Sequence, residues 1–176
     1  MPGIIDLELV PYGNTKYHED SDTFECQHGS DECEADVLMS CVMYELNGGN
    51  TNSMFSKQSY NAWPFIQCME EGEGDPSKGQ SCYTNNMLST NATSIPWSAI
   101  DDCTKTESNT VQKAAMEATP DHQYVPWVLI NDVLLENTNT LQKAICDAYT
   151  GTKPTVCKAL DNAEPVTEFH PSKANW

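Results

Sequence analysis

The residues best suited to chemistry sit in one run, Cys26-Gln27-His28-Gly29, followed by Cys33 and, eight residues further on, Cys41. Thiols and an imidazole at such close quarters admit four chemistries. A zinc site drawing on Cys26, His28, Cys33 and Cys41 has suitable ligand types, but zinc ligands come in close pairs such as C-x₂₋₄-C, and gaps of six and seven residues match no common pattern. A nucleophilic cysteine with His28 as base is the second reading, and the sequence offers it no orienting group. A redox dithiol wants C-x-x-C with its first thiolate at a helix N-terminus, and no C-x-x-C occurs in the chain. Disulfides that staple helices to a sheet are the fourth reading, and the spacing favours them.

The elements that must position these residues follow from periodicity. Cys33, Val37, Cys41 and Tyr44 recur at helical steps, on one face of a helix that Ser30 or Asp31 caps. Along that helix Cys33 and Cys41 stand about 12 Å apart, whereas a disulfide needs Cα atoms within about 7 Å, so each must find a partner elsewhere. Upstream, residues 4–10 alternate apolar and acidic side chains and read as a strand, ended by Pro11 and a Gly13-Asn14 turn. Residues 15–23 form a loop or hairpin, and residues 47–52 a turn that ends the cysteine helix. A second helix runs from 53 to 71 with Phe55, Tyr60, Trp63, Ile66 and Met69, kinked at Pro64. The loop at 72–76 lies between Cys68 and Cys82, and bridging them is worth about 3 kcal/mol of chain entropy.

Further helical pieces run from Pro96-Trp97 through Cys103 and from Val111 to Ala118. The pattern then switches to a hairpin over residues 124–136 around Asn131-Asp132. A last helix spans residues 139–149, with Leu141, Ile145 and Ala148 on one face and Gly151 as a left-handed stop. Cys146 and Cys157 are close enough to pair, which leaves Cys26, Cys33, Cys41 and Cys103 to share two bridges. The layout is α/β, one domain over residues 1–157 and a polar tail over 158–176 carrying Pro165 and Pro171.

Nine basic residues against 26 acidic ones give a net charge of −17, which repels nucleic acid and anionic membranes alike. The charge reads as solubility or as adaptation to an acidic compartment. Eight cysteines, an even number, suit an oxidising compartment, and Asn91-Ala92-Thr93 is a glycosylation sequon that agrees with it. Residues 1–10 carry no basic n-region, and the apolar stretch is too short and too charged for a signal sequence or a membrane span. Either the chain is the remainder of a longer precursor or its thiols stay reduced. No cofactor and no metal is assigned.

Val125-Pro126 is the second place of interest. A proline here cannot donate to a sheet ladder and belongs at an edge or an irregular point. It is an ordinary strand-initiating trans proline, or a cis proline that holds the backbone before it open to a peptide substrate.

The run Cys26-Gln27-His28-Gly29 through Cys33 and Cys41 resembles the signature of the gamma-interferon-inducible lysosomal thiol reductases. Val10-Pro11-Tyr12-Gly13-Asn14 resembles the segment before that signature, Cys68-Met69-Glu70-Glu71 and Cys82 its helical insertion, and Tyr124-Val125-Pro126-Trp127-Val128 its cis-proline strand. Gly151-Thr152-Lys153-Pro154 through Cys157 is similar to the family's end, so the likeness covers residues 4–157. The resemblance implies a thioredoxin-like fold with a helical insertion, and reduction of disulfides in unfolding proteins at acidic pH, in endosomes, lysosomes or after secretion. The family's catalytic C-x-x-C lies in a first strand–helix unit ahead of the segment matching residues 4–14, and that unit is absent from this sequence. No catalytic cysteine is carried over; Pro126 is carried over as the substrate-facing proline. Asn131-Asp132 replaces the family's more usual Asn-Gly turn. Without the first unit, a sheet edge stands unpaired and open to self-association. The expected functions are a segment of a thiol reductase, inactive as it stands, or a non-catalytic binder of unfolded or cysteine-rich polypeptides.

Overall fold

A computed structural model describes residues 4–160. The architecture is mixed α/β, mostly helical, with two small two-stranded antiparallel sheets. The chain divides into two compact units. The first is Leu7–Val125; the second holds, among the described residues, 4–6 and 126–160.

The first unit is built on helix α1 (Ser30–Leu46). Ala35 and every residue from Val37 to Met43 are buried, so this helix has no solvent face along its middle turns. A helix apolar all round must be enclosed by others. Helix α2 (Met54–Glu71), α4 (Trp97–Thr106) and α5 (Ser108–Ala118) pack against it, and the short α3 (Gly79–Tyr83) continues into a π-helical turn at Thr84–Leu88. Tyr83, fully buried, meets Phe65 edge-on at 6.0 Å and Trp97 at 5.7 Å, and donates its hydroxyl to the Ile95 carbonyl. Pro64 lies inside α2 and leaves the Tyr60 carbonyl without its helical donor, on a turn where Tyr60 is exposed.

Strands β1 (Lys16–His18) and β2 (Thr23–Glu25) form a hairpin ahead of α1. It is held to α5 by Lys113, which pairs with Asp22 at 2.6 Å and lies over the Tyr17 ring, and by Asn109, which donates to the Asp22 carbonyl. Residues 5–10 form no strand, contrary to their alternating pattern. No strand lies beside them among the described residues, and the Leu9 amide donates instead to the Ser59 hydroxyl of α2.

In the second unit, β3 (Leu129–Ile130) and β4 (Val133–Leu134) make a hairpin whose turn residues Asn131 and Asp132 have φ of 49° and 65°. Positive φ at both central positions is the geometry that matches strand twist in a two-residue loop, so Asn-Asp serves as Asn-Gly would. The strand begins at Leu129 rather than Tyr124, because Pro126 cannot donate to a ladder and the residues around it stay irregular. Helix α6 (Leu141–Ala148) follows a 3-10 turn capped by the Asn137 side chain, and it ends at Tyr149 in extended backbone rather than at a left-handed Gly151. A further helix, α7 (Thr155–Leu160), runs across the expected boundary at residue 157; the rest of the expected tail lies outside the described residues.

All eight cysteines are bridged. Cys68 bonds Cys82 and Cys146 bonds Cys157, the two pairs that nearness in sequence suggests, while Cys26 bonds Cys33 and Cys41 bonds Cys103. The Cys41–Cys103 bridge spans 62 residues and pins α4 to the enclosed helix. Chain entropy makes it the most stabilising of the four, about 4 kcal/mol against about 3 for the short loops. Replacing Cys41 and Cys103 together with alanine is therefore expected to lower the urea-unfolding free energy by about 4 kcal/mol, and replacing Cys68 and Cys82 by less. Equilibrium denaturation of the two double variants checks the order.

Candidate functional site

The signature loop is built around the start of α1. Gly29 precedes the helix at φ 97° and ψ −161°, a conformation essentially closed to residues with a Cβ. Its backbone reverses the chain so that Cys26 comes back over the first turns of α1, with Cα atoms of Cys26 and Cys33 5.6 Å apart. Neither Ser30 nor Asp31 caps the helix. The work is done from inside it: Glu32 Oε2 accepts the backbone N–H of His28 at 2.7 Å, and its Oε1 lies 3.2 Å from His28 Nδ1. A carboxylate in the first turn also suits the positive end of the helix dipole.

Cys26 is buried, and the hydroxyl of buried Thr15 donates to its sulfur at 3.2 Å. The sulfurs of Cys26, Cys33 and Cys41, which zinc or nucleophile chemistry would require, are all bonded to other sulfurs. Gln27 is exposed, and its side-chain oxygen accepts from Asn14 Nδ2 at 2.7 Å. Asn14 thereby turns its own carbonyl oxygen toward His122 Nε2, 3.1 Å away, and His122 Nδ1 lies 3.0 Å from the Pro120 carbonyl. Both of these neighbours are acceptors, so whichever ring nitrogen carries the proton has one to donate to.

The chain thus brings Cys26, Gln27, His28, Gly29 and Cys33 together. Cys41 lies two turns further along α1 at a different bridge. Tyr124, Val125 and Pro126 are exposed on irregular backbone, and the unit boundary falls between Val125 and Pro126. Asn91 is exposed in a turn with φ 57°, an accessible place for the sequon. Thr15, Glu32 and His122 carry contacts that sequence reasoning did not single out. The Glu three residues after the helix cap was the readable signal for one of them.

Carboxylates crowd the same helix. Asp36, mostly buried on α1, is pushed up to about 7 by loss of solvent, with Glu32 one turn before it and Glu70 adding repulsion. Burial raises Glu70 as well, and burial together with Glu107 raises Glu45.

A family model described as gamma interferon inducible lysosomal thiol reductase matches residues 1–86. The gamma-interferon-inducible lysosomal thiol reductase of Carassius auratus is 32% identical over 166 residues, covering 88% of this chain and 59% of that protein. The protein of the same name from Mus musculus is 30% identical over 165 residues, covering 89% of this chain and 60% of its own length. GILT-like protein 2 of Drosophila melanogaster is 47% identical over 38 residues, or 22% of this chain and 18% of that protein. The chain belongs to the gamma-interferon-inducible lysosomal thiol reductase family. It spans about three-fifths of the length of the fish and mouse relatives. No helix among the described residues is long and apolar enough to cross a membrane.

Two outcomes follow from this geometry. Gly29→Ala is expected to cost about 1–3 kcal/mol through backbone strain alone, since nothing lies within 4 Å of the added Cβ; denaturant midpoints measure it. For Asp36, a carboxyl raised from 3.8 to about 7 favours folding when protonated, so its stabilising contribution is complete below pH 3.8 and lost as pH rises through about 7. Asp36→Asn is expected to be the more stable form by about 2 kcal/mol or more at pH 7.5, with most of that gap closed at pH 5. Thermal melts of the two proteins across that range decide it.

Proposed function

We propose that this chain is the polypeptide-holding body of a lysosomal thiol reductase, of thioredoxin-like fold, and that it carries no reducing dithiol of its own. The carrying observation is that all eight cysteines are paired and no C-x-x-C occurs in the sequence. Disulfide reduction needs a thiolate to attack one substrate sulfur, releasing the other, and a second thiol to resolve the mixed disulfide and leave with both electrons donated. Every sulfur here is held in a bridge, which supports a dithiol supplied from elsewhere.

What remains is recognition. Exposed Val125 and Pro126 offer backbone that no ladder occupies among the described residues, the kind of surface an extended polypeptide pairs with. Pro126 is read as the substrate-facing cis proline. The raised carboxylates around Asp36 support work in an acidic compartment, and the four bridges and accessible Asn91 support a secretory route with glycosylation. The β3–β4 hairpin is two-stranded among the described residues, with Leu129 and Val133 exposed, which favours pairing with a further strand, including one from a second copy.

A second reading, a binder of unfolded or cysteine-rich polypeptides without a part in reduction, uses the same surface. Insulin reduction at about pH 5 with a small-thiol donor separates enzyme from binder. The expected rate equals the free-thiol background, and turnover clearly above it would refute the absence of a working dithiol.

A further inference from the structure

Three stretches that carry the family resemblance, two near each other and the third 108 residues away, are joined by one hydrogen-bonded relay. Gln27 of the signature accepts from Asn14 of the segment before it, and Asn14 meets His122, two residues ahead of Tyr124-Val125-Pro126. We propose that Asn14 and His122 are positioning residues that fix residues 122–125 against the loop before the signature, and so hold the backbone at Val125 ready for an extended polypeptide. The role in recognition rests on the reading of Val125–Pro126 given above.

The two ends of the relay differ in rigidity. Asn14 lies within a tight turn in which Gly13 has φ 56° and the Thr15 amide bonds the carbonyl of buried Tyr12. Gln27 adjoins Cys26, which is fixed by its bridge to α1 and by the Thr15 hydroxyl. Residues 120–125, in contrast, follow the end of α5 without helix or strand. His122 fastens this irregular stretch to the rigid side. Its Nδ1 is held by the Pro120 carbonyl of its own segment, so the ring cannot swing independently of its backbone, and fixing Nε2 fixes the chain. Gln27 is exposed, and as the acceptor that orients the Asn14 amide it has a structural part to play.

The test uses the full chain at about pH 5. Binding of fluorescein-labelled insulin B chain, its thiols carbamidomethylated, is read by anisotropy, and ¹⁵N order parameters are measured at Gln123, Tyr124 and Val125. Asn14→Ala and His122→Ala are each expected to weaken binding about fivefold, the size of one hydrogen bond. The double variant should lose no more than either alone, because both remove the same tie. Order parameters at the three residues should fall in both single variants while melting temperature holds. His122→Gln, which keeps a donor for Asn14, should recover most of the loss. Unchanged order parameters in both alanine variants, or binding losses that simply add, would overturn the relay. Pro126→Ala tests the underlying surface separately. If it, or the unaltered chain, shows no specific binding, the polypeptide-facing reading fails, and the order parameters still decide whether the relay fixes the segment.

Discussion

The first unit rests on a helix that cannot be left in water. From Val37 to Met43 the middle turns of α1 present buried side chains in every direction, so α2, α4 and α5 are required to enclose it. Burial on one side alone would leave several apolar side chains exposed, each worth about 1.5–3 kcal/mol. The Cys41–Cys103 bridge turns that packing into a covalent constraint between elements distant in sequence. Everything at the N-terminal end of α1, the signature included, inherits its position from this enclosed axis.

That dependence changes what the signature is for. Cysteine and histidine in close order admit zinc and nucleophile chemistry, but the spacing favours disulfides, and each residue of the run is engaged in making the turn. Gly29 supplies a backbone conformation, His28 meets Glu32 at the helix start, Cys26 closes the loop on Cys33, and Gln27 reaches out to Asn14. The arrangement joins a helix end to a neighbouring loop with almost no freedom left between them. Chemistry, where the family performs it, needs such a frame because a reacting disulfide must be presented within tenths of an ångström.

Helical content was legible because α1, α2, α4 and α5 carry strong periodic or capped patterns, and the predicted faces of Cys33, Val37, Cys41 and Tyr44 lie on one helix as expected. The two short bridges were legible from closeness, whereas Cys26–Cys33 required knowing that Gly29 reverses the chain, and Cys41–Cys103 required the tertiary packing. The alternation over residues 4–10 misled because period two signals a strand only if another strand is there to pair with it. Tyr124 to Val128 misled in the same way, its β-favouring side chains outweighed by a proline that removes a ladder donor. The contact between Asn14 and His122 spans 108 residues and leaves no periodic trace, so only coordinates reveal it.

The disulfides and the acidity answer one physical problem together. With 26 carboxylates against nine basic side chains, few acids can be neutralised by partners. Lys113 with Asp22, Lys105 with Asp101 and Lys143 with Asp147 are such pairs, and they lie on exposed surface where each contributes little. Other carboxylates, Asp36, Glu32 and Glu70 among them, lie close enough to repel, and the folded state carries that repulsion whenever they are ionised. Cross-links oppose it from the other side by limiting how far the unfolded chain can expand. A body stapled in this way tolerates neutral pH and relaxes in acid, where its crowded carboxylates take up protons.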